Sequence, residues 1–181
     1  LPVITAVAGA ATGAGCAIAA AADVVVAAES ATFSLPFHQL GQMPDGGLTA
    51  TLAATLGRHR AMRMSLLGDP LSAVQAYDAG WVGVVARDDL FAGTVERVVR
   101  RVAAGSPAAL AATKKAVNAA TLGGLNAAID REGRAHTALG QTGHAREAVA
   151  AQREGRRADF RGEHVAGPPL QVPRPSVPSA G

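Results

Sequence analysis

The chain reads as an α/β core followed by a helical C-terminal layer, and three observations predict that class. Short β-branched runs, Val3-Ile4-Thr5-Ala6-Val7 and Asp23-Val24-Val25-Val26, alternate with Ala- and Leu-rich helical stretches in the first half. From Leu90 onward the pattern is helix after helix, separated by Gly, Ser and Pro. A length of 181 residues, 49% of them hydrophobic but with one Trp, one Tyr and four Phe, suits a single domain built on an Ala/Val/Leu core.

Taken in order, the first strand runs into the glycine-rich turn Gly9-Ala10-Ala11-Thr12-Gly13-Ala14-Gly15, and a short Ala-rich helix follows from Cys16 to Ala22. After the Asp23 run, Glu29 to Ser34 reads as a turn into another short strand. Pro36, Gly41, Pro44, Gly46 and Gly47 then punctuate a loop with a tightly defined path. Leu48 to Leu56 and Ala61 to Leu67 read as helix, closed by Gly68-Asp69-Pro70. Ser72 caps a short helix through Ala79 and Gly80 stops it. Trp81 to Val85 is a small strand. Helices are predicted over Leu90 to Ala104, Pro107 to Thr121, Leu125 to Gly140 and Gly143 to Asp159. The last stretch from Gly167 holds five of the ten prolines, which deny it helix and ladder and predict a disordered tail. The expected organisation is therefore a core over 1–104, a helical region over 105–166 and a tail over 167–181.

Composition removes several function classes. A single cysteine, Cys16, rules out an intrachain disulfide framework and suits a reducing cytosol. No apolar run reaches membrane-spanning length, and Leu1-Pro2 lacks the basic start of a signal peptide, so the expectation is a cytoplasmic protein without a membrane partner. Basic residues cluster at Arg58, His59, Arg60 and Arg63 and again at Arg153, Arg156, Arg157 and Arg161. With so few aromatics interleaved they read as solvated helix faces or as attraction for a phosphorylated ligand, and nucleic acid is not expected. No His/Cys/Asp group has metal-ligand spacing, so no metal is expected.

The glycine turn is the stretch with chemical content. A strand that breaks at glycines and restarts as a helix presents backbone N–H groups to an anion, or to an oxygen that becomes one. Gly9-x-x-x-Gly13-x-Gly15 also fits the nucleotide-binding turn of short-chain dehydrogenases. Against that, the following helix is short, no acidic ribose reader stands at a convincing spacing, and the only tyrosine, Tyr77, is followed by Asp78-Ala79-Gly80-Trp81 rather than by a lysine four residues on.

A second match covers far more of the chain. Pro2-Val3-Ile4-Thr5-Ala6-Val7-Ala8-Gly9 with Gly13-Ala14-Gly15-Cys16, then Ala31-Thr32-Phe33, Pro36-Phe37 and Leu40-Gly41-Gln42-Met43-Pro44-Asp45-Gly46-Gly47, resembles the enoyl-CoA hydratase/isomerase, or crotonase, superfamily. The resemblance continues at Gly57 to Met62, Leu67 to Ala73 and Ala76 to Val82, and returns at Glu154 to Phe160. It implies the spiral β-β-α core of the ClpP/crotonase type, an acyl-CoA thioester substrate with coenzyme A as part of that substrate rather than a separate cofactor, and assembly as a homotrimer or hexamer. It also implies that a complete domain carries further strands before the position matching Leu1, with a second oxyanion donor and much of the coenzyme A site.

Within that resemblance the site residues follow position by position. Gly13, Ala14 and Gly15 form the oxyanion turn, with the Ala14 N–H as one donor. The two glutamates of the family's hydratases fall on Ala17 and Phe37, neither of which transfers a proton. Pro44-Asp45-Gly46 resembles the Pro-Asp/Glu-Gly loop of enoyl-CoA isomerases, including the ring-opening isomerase of phenylacetate breakdown, which makes Asp45 the acid/base beside apolar Phe37 and Leu40. A thioester α-proton needs both a base at the carbon and fixed N–H donors at the enolate oxygen. Isomerisation with Asp45 is the expected activity; hydration using Asp45 and a water, and non-catalytic acyl-CoA binding, are the alternatives. Arg156 and Arg157 are the candidates for coenzyme A phosphates. Taken alone, Pro-Asp-Gly is ordinary turn chemistry, His38 reads as a loop surface residue, and Cys16 as a small buried apolar group.

Overall fold

A computed structural model describes residues 1–161. The chain winds strand, strand, helix. Strand β1 (Ile4–Val7) is followed by β2 (Ala10–Thr12) and helix α1 (Ala14–Ala20). The next turn repeats the order with β3 (Val24–Ala28), β4 (Thr32–Ser34), a 3-10 turn (Pro36–Leu40) and helices α2 (Leu48–Leu56) and α3 (Arg58–Leu67). The third brings β5 (Leu71–Ser72), α4 (Ala73–Asp78) and β6 (Val84–Ala86). One sheet takes β1-β3-β6, all parallel, and the other takes β2-β4-β5, with β5 antiparallel. Strands β1 to β4 therefore alternate between two layers, β5 stays beside β4 in the second and β6 returns to the first, which is the spiral expected.

Residue type explains the layers. β3 is the middle strand, with Val25, Val26, Ala27 and Ala28 all buried, so it shows a continuous apolar run and no alternation. Its small alanines admit close packing. Phe33 of β4, fully buried, meets the single Trp81 at a ring-centroid distance of 4.5 Å and a tilt of 47°. Leu35, Leu48, Leu52 and Met64 complete this core, which lies under the loop between the 3-10 turn and α2.

The helical layer comprises α5 (Phe91–Ala103), α6 (Pro107–Thr121), α7 (Leu125–Gly140) and α8 (Gly143–Arg153). Ser106 and Thr142 cap α6 and α8 by accepting from Ala109 and Ala145 N–H groups. Lys114 of α6 donates to Asp23 at 2.6 Å, and the same carboxylate accepts from the Val3 N–H at 2.7 Å, tying the layer to the first sheet. At the other end, Gly41 lies so close to α8 that a Cβ there would sit 3.0 Å from the His144 carbonyl.

Three local expectations are corrected. The glycine-rich stretch is not all turn, because Ala10–Thr12 pairs in parallel with Thr32–Ser34 and the turn narrows to Gly13. The loop after Ser34 carries a 3-10 turn, for which Pro36 at its start supplies the fixed φ. The last helix ends at Arg153 rather than Asp159, since Gly155 takes φ +67° and turns the chain out of the helix. The expected Pro-rich tail, 167–181, lies outside the described residues.

Candidate active site

Gly13 takes φ 56° and ψ −115° between β2 and α1, a conformation that suits glycine, and its N–H is spent on the Ser34 carbonyl at 3.0 Å. The N–H groups this turn has to offer are therefore the next ones. Ala14 and Gly15 open α1, where first-turn N–H groups have no intrahelical partner, and both residues are exposed. Ala14 keeps a negative φ, so alanine serves there as well as glycine. Cys16, next along, has no surface exposure, and burial pushes its thiol up to about 12, which leaves it a small apolar filler.

Phe37 and the loop that carries Asp45 come up to this turn and its helix. The Phe37 ring tip lies beside Gly13, 3.8 Å from where a Cβ would stand, and Phe37 is buried. Gly46, adjacent to Asp45, lies against α1 so closely that a Cβ would approach the Ala17 methyl to 3.1 Å. A larger residue at Ala17 would push the Asp45 loop away. The apolar pair Ala17 and Phe37 thus lines the ground between the helix start and the loop.

The path of the loop is set from across the molecule. Gly47 begins α2 at φ 84° and has no side chain with which to cap it. Glu132 of α7, 1% exposed, supplies the cap instead. Its Oε2 accepts from the Gly47 N–H at 2.6 Å, and its Oε1 accepts from the Thr49 N–H at 2.9 Å and from the Thr49 hydroxyl. A carboxylate at a helix N-terminus also answers the helix dipole. One turn further along α7, His136 places Nδ1 3.6 Å from Asp45 Oδ2. The Asp45 side chain is 39% exposed, so its setting is half solvent and half protein rather than the apolar enclosure the neighbouring sequence suggests.

Sequence reasoning missed Glu132 and His136. Their signal is present: two titratable groups four apart on one face of an amphipathic helix, opposite a helix that starts on glycines.

The remaining predicted residues lie elsewhere. Leu40 turns toward α8, where it lines a cavity of about 510 Å³ with His38, Ala151, Arg156, Arg157 and Phe160. His38 is half-buried rather than fully on the surface; its ring packs against Gly68, where a Cβ would meet Cε1 at 2.6 Å. Arg156 donates to the buried Glu147 and to Glu154, and these bonds, Glu147 first, push its guanidinium further up. Arg157 is exposed and forms no side-chain ion pair among the described residues. A second cavity, about 660 Å³ and bordered by Gly46, Thr51, Leu122, Leu125 and Ile129, lies between α2 and the helical layer. Among the described residues no group of three or more metal-ligating side chains exists, and no helix is long and apolar enough to cross a membrane.

Residues 1–163 match the profile of the family described as Enoyl-CoA hydratase/isomerase. The chain is 38% identical over 162 residues to the 1,2-epoxyphenylacetyl-CoA isomerase of Escherichia coli K12, spanning 90% of this chain and 62% of that protein. It is likewise 38% identical to the 2,3-dehydroadipyl-CoA hydratase of the same organism, spanning 89% of this chain and 63% of that one. A solved structure of an enoyl-CoA hydratase from Mycobacterium avium subsp. paratuberculosis K-10 superposes with a TM-score of 0.86 at 42% identity, covering 89% of this chain and 65% of that one. The chain thus spans a little under two thirds of the length of these relatives.

Proposed function

The chain belongs to the enoyl-CoA hydratase/isomerase family, and from that premise we propose that it moves a double bond in an enoyl-CoA thioester, with Asp45 as acid/base and the Ala14 N–H as an oxyanion donor. Asp45 takes the C2 proton of a 3-enoyl thioester, and the C–H electron pair becomes the enolate. The oxygen charge that develops is met by the Ala14 N–H at the start of α1, a fixed donor that needs no reorganisation. Return of the same proton at C4 leaves the double bond between C2 and C3, conjugated with the thioester. One base suffices for both transfers.

The observation that carries this reading is the seating of Gly46 against Ala17, which brings the Asp45 loop to the first turn of α1, where the neighbours are the apolar Ala17 and Phe37. The apolar cavity beside Gly46 offers room for an acyl tail. Arg157, exposed and outside any side-chain ion pair among the described residues, is the better of the two arginines for a coenzyme A phosphate. The exposure of Asp45 favours a second reading, in which the carboxylate activates a water for addition to a 2-enoyl thioester.

The two separate cleanly. The purified chain is offered a 3-enoyl-CoA and a 2-enoyl-CoA in turn, and the absorbance of the conjugated thioester is followed with Asp45→Asn as control. A rise with the first substrate that the variant abolishes supports isomerisation. A fall with the second and no rise with the first transfers the assignment to hydration. Silence with both, while coenzyme A esters still bind, leaves a binding protein.

A further inference from the structure

We propose that His136 is a positioning residue for Asp45: its Nδ1–H holds Oδ2, so that Oδ1 is the oxygen that exchanges the substrate proton. This inference rests on the acid/base reading of Asp45 and deepens it.

His136 Nδ1 lies 3.6 Å from Asp45 Oδ2 and, although that nitrogen is shielded from solvent, it has no hydrogen-bond partner among the described residues. Asp45 in turn has no other ion-pair or side-chain hydrogen-bond partner among them. An ionised carboxylate only accepts, so the proton between them must sit on Nδ1. The remaining gap is a few tenths of an ångström beyond a hydrogen bond, a separation that closes in many enzymes when substrate enters. Nothing about this approach is left to a floppy element. Glu132, one turn earlier, is bonded to Gly47 and Thr49, and this fixes both the rotation of α7 and the loop that carries Asp45. A carboxylate with one oxygen held presents the other in a single orientation, and orientation is what a proton transferred between C2 and C4 requires.

The test uses the whole chain and His136→Ala, His136→Asn and Asp45→Asn with the 3-enoyl-CoA assay. Asparagine puts an amide N–H where Nδ1 stands, without the ring or its charge. The expected result is that His136→Ala lowers kcat about tenfold with KM within about twofold. His136→Asn should regain at least half of wild-type kcat, and His136→Ala should add nothing in the Asp45→Asn background. Wild-type turnover that survives Asp45→Asn, or no wild-type turnover at all, removes Asp45 as the base of isomerisation and this role with it. Turnover that needs Asp45 but is untouched by His136→Ala overturns the positioning role alone. So does an asparagine variant as impaired as the alanine one, or a loss confined to KM.

Discussion

Removing the Glu132 carboxylate is the perturbation whose size the structure sets most directly. It is 1% exposed and accepts from three donors of the α2 start: the Gly47 N–H, the Thr49 N–H and the Thr49 hydroxyl. Glu132→Ala strands the buried Gly47 N–H at a cost of about 1–3 kcal/mol, and Thr49, which reaches water, loses about 1 kcal/mol for each of its two bonds to a charged group. The expected total is about 4 kcal/mol, in the range for breaking a buried charged contact. Glu132→Gln keeps the volume and one accepting oxygen but turns an NH2 toward a donor, so about 2 kcal/mol is expected. Urea unfolding followed by Trp81 emission reads this, because the single Trp81 is 7% exposed against Phe33. With a urea slope of about 1–3 kcal/mol/M, the alanine variant should move the midpoint down by about 1–4 M. An alanine variant within about 1 kcal/mol of wild type, or a glutamine variant no better than alanine, would show that the cap is not what seats this loop.

Two further outcomes follow from the same geometry. Gly46→Ala forces a side chain at φ +68° and drives a methyl to 3.1 Å from Ala17 Cβ. It should cost about 1–2 kcal/mol in urea unfolding and a larger share of turnover, since Asp45 moves with it; wild-type turnover would place the chemistry elsewhere. Cys16, fully buried with its thiol pushed up to about 12, should resist a thiol-specific chromogenic reagent at neutral pH until denaturant is added. Prompt labelling of the native chain would contradict the close packing of α1.

What the sequence revealed follows the range over which each feature is determined. The strand at Val24–Ala28 is legible because burial on both faces demands an unbroken apolar run, and the helix at Ala73–Asp78 because Ser72 and Gln75 form a capping box within four residues. Ala10–Thr12 escaped because alanine has little β-preference of its own; that strand exists because Thr32–Ser34 lies alongside. Asp45 could not be told from a turn aspartate by local chemistry, and only the ordered match of motifs along the chain singled it out as a candidate. Arg156 looked available because its sequence neighbours are basic, yet Glu147, nine residues earlier and buried on α8, claims it.

Glu132 and His136 show where local reading must stop. Gly47 and Glu132 are 85 residues apart, and no periodicity within α7 says which helix its polar face will meet. The constraint runs the other way, from α2. A helix that opens on Gly46-Gly47 has no side chain to satisfy its first N–H groups, and its start is buried, so an acceptor has to arrive from elsewhere in the fold. Once that acceptor is a glutamate on a helix, the side chain four residues on is committed to the same face, and that face is where Asp45 lies. The cap and the histidine are therefore one structural decision. Glu132 substitutions should disturb turnover as well as stability, whereas His136 substitutions should leave stability nearly unchanged.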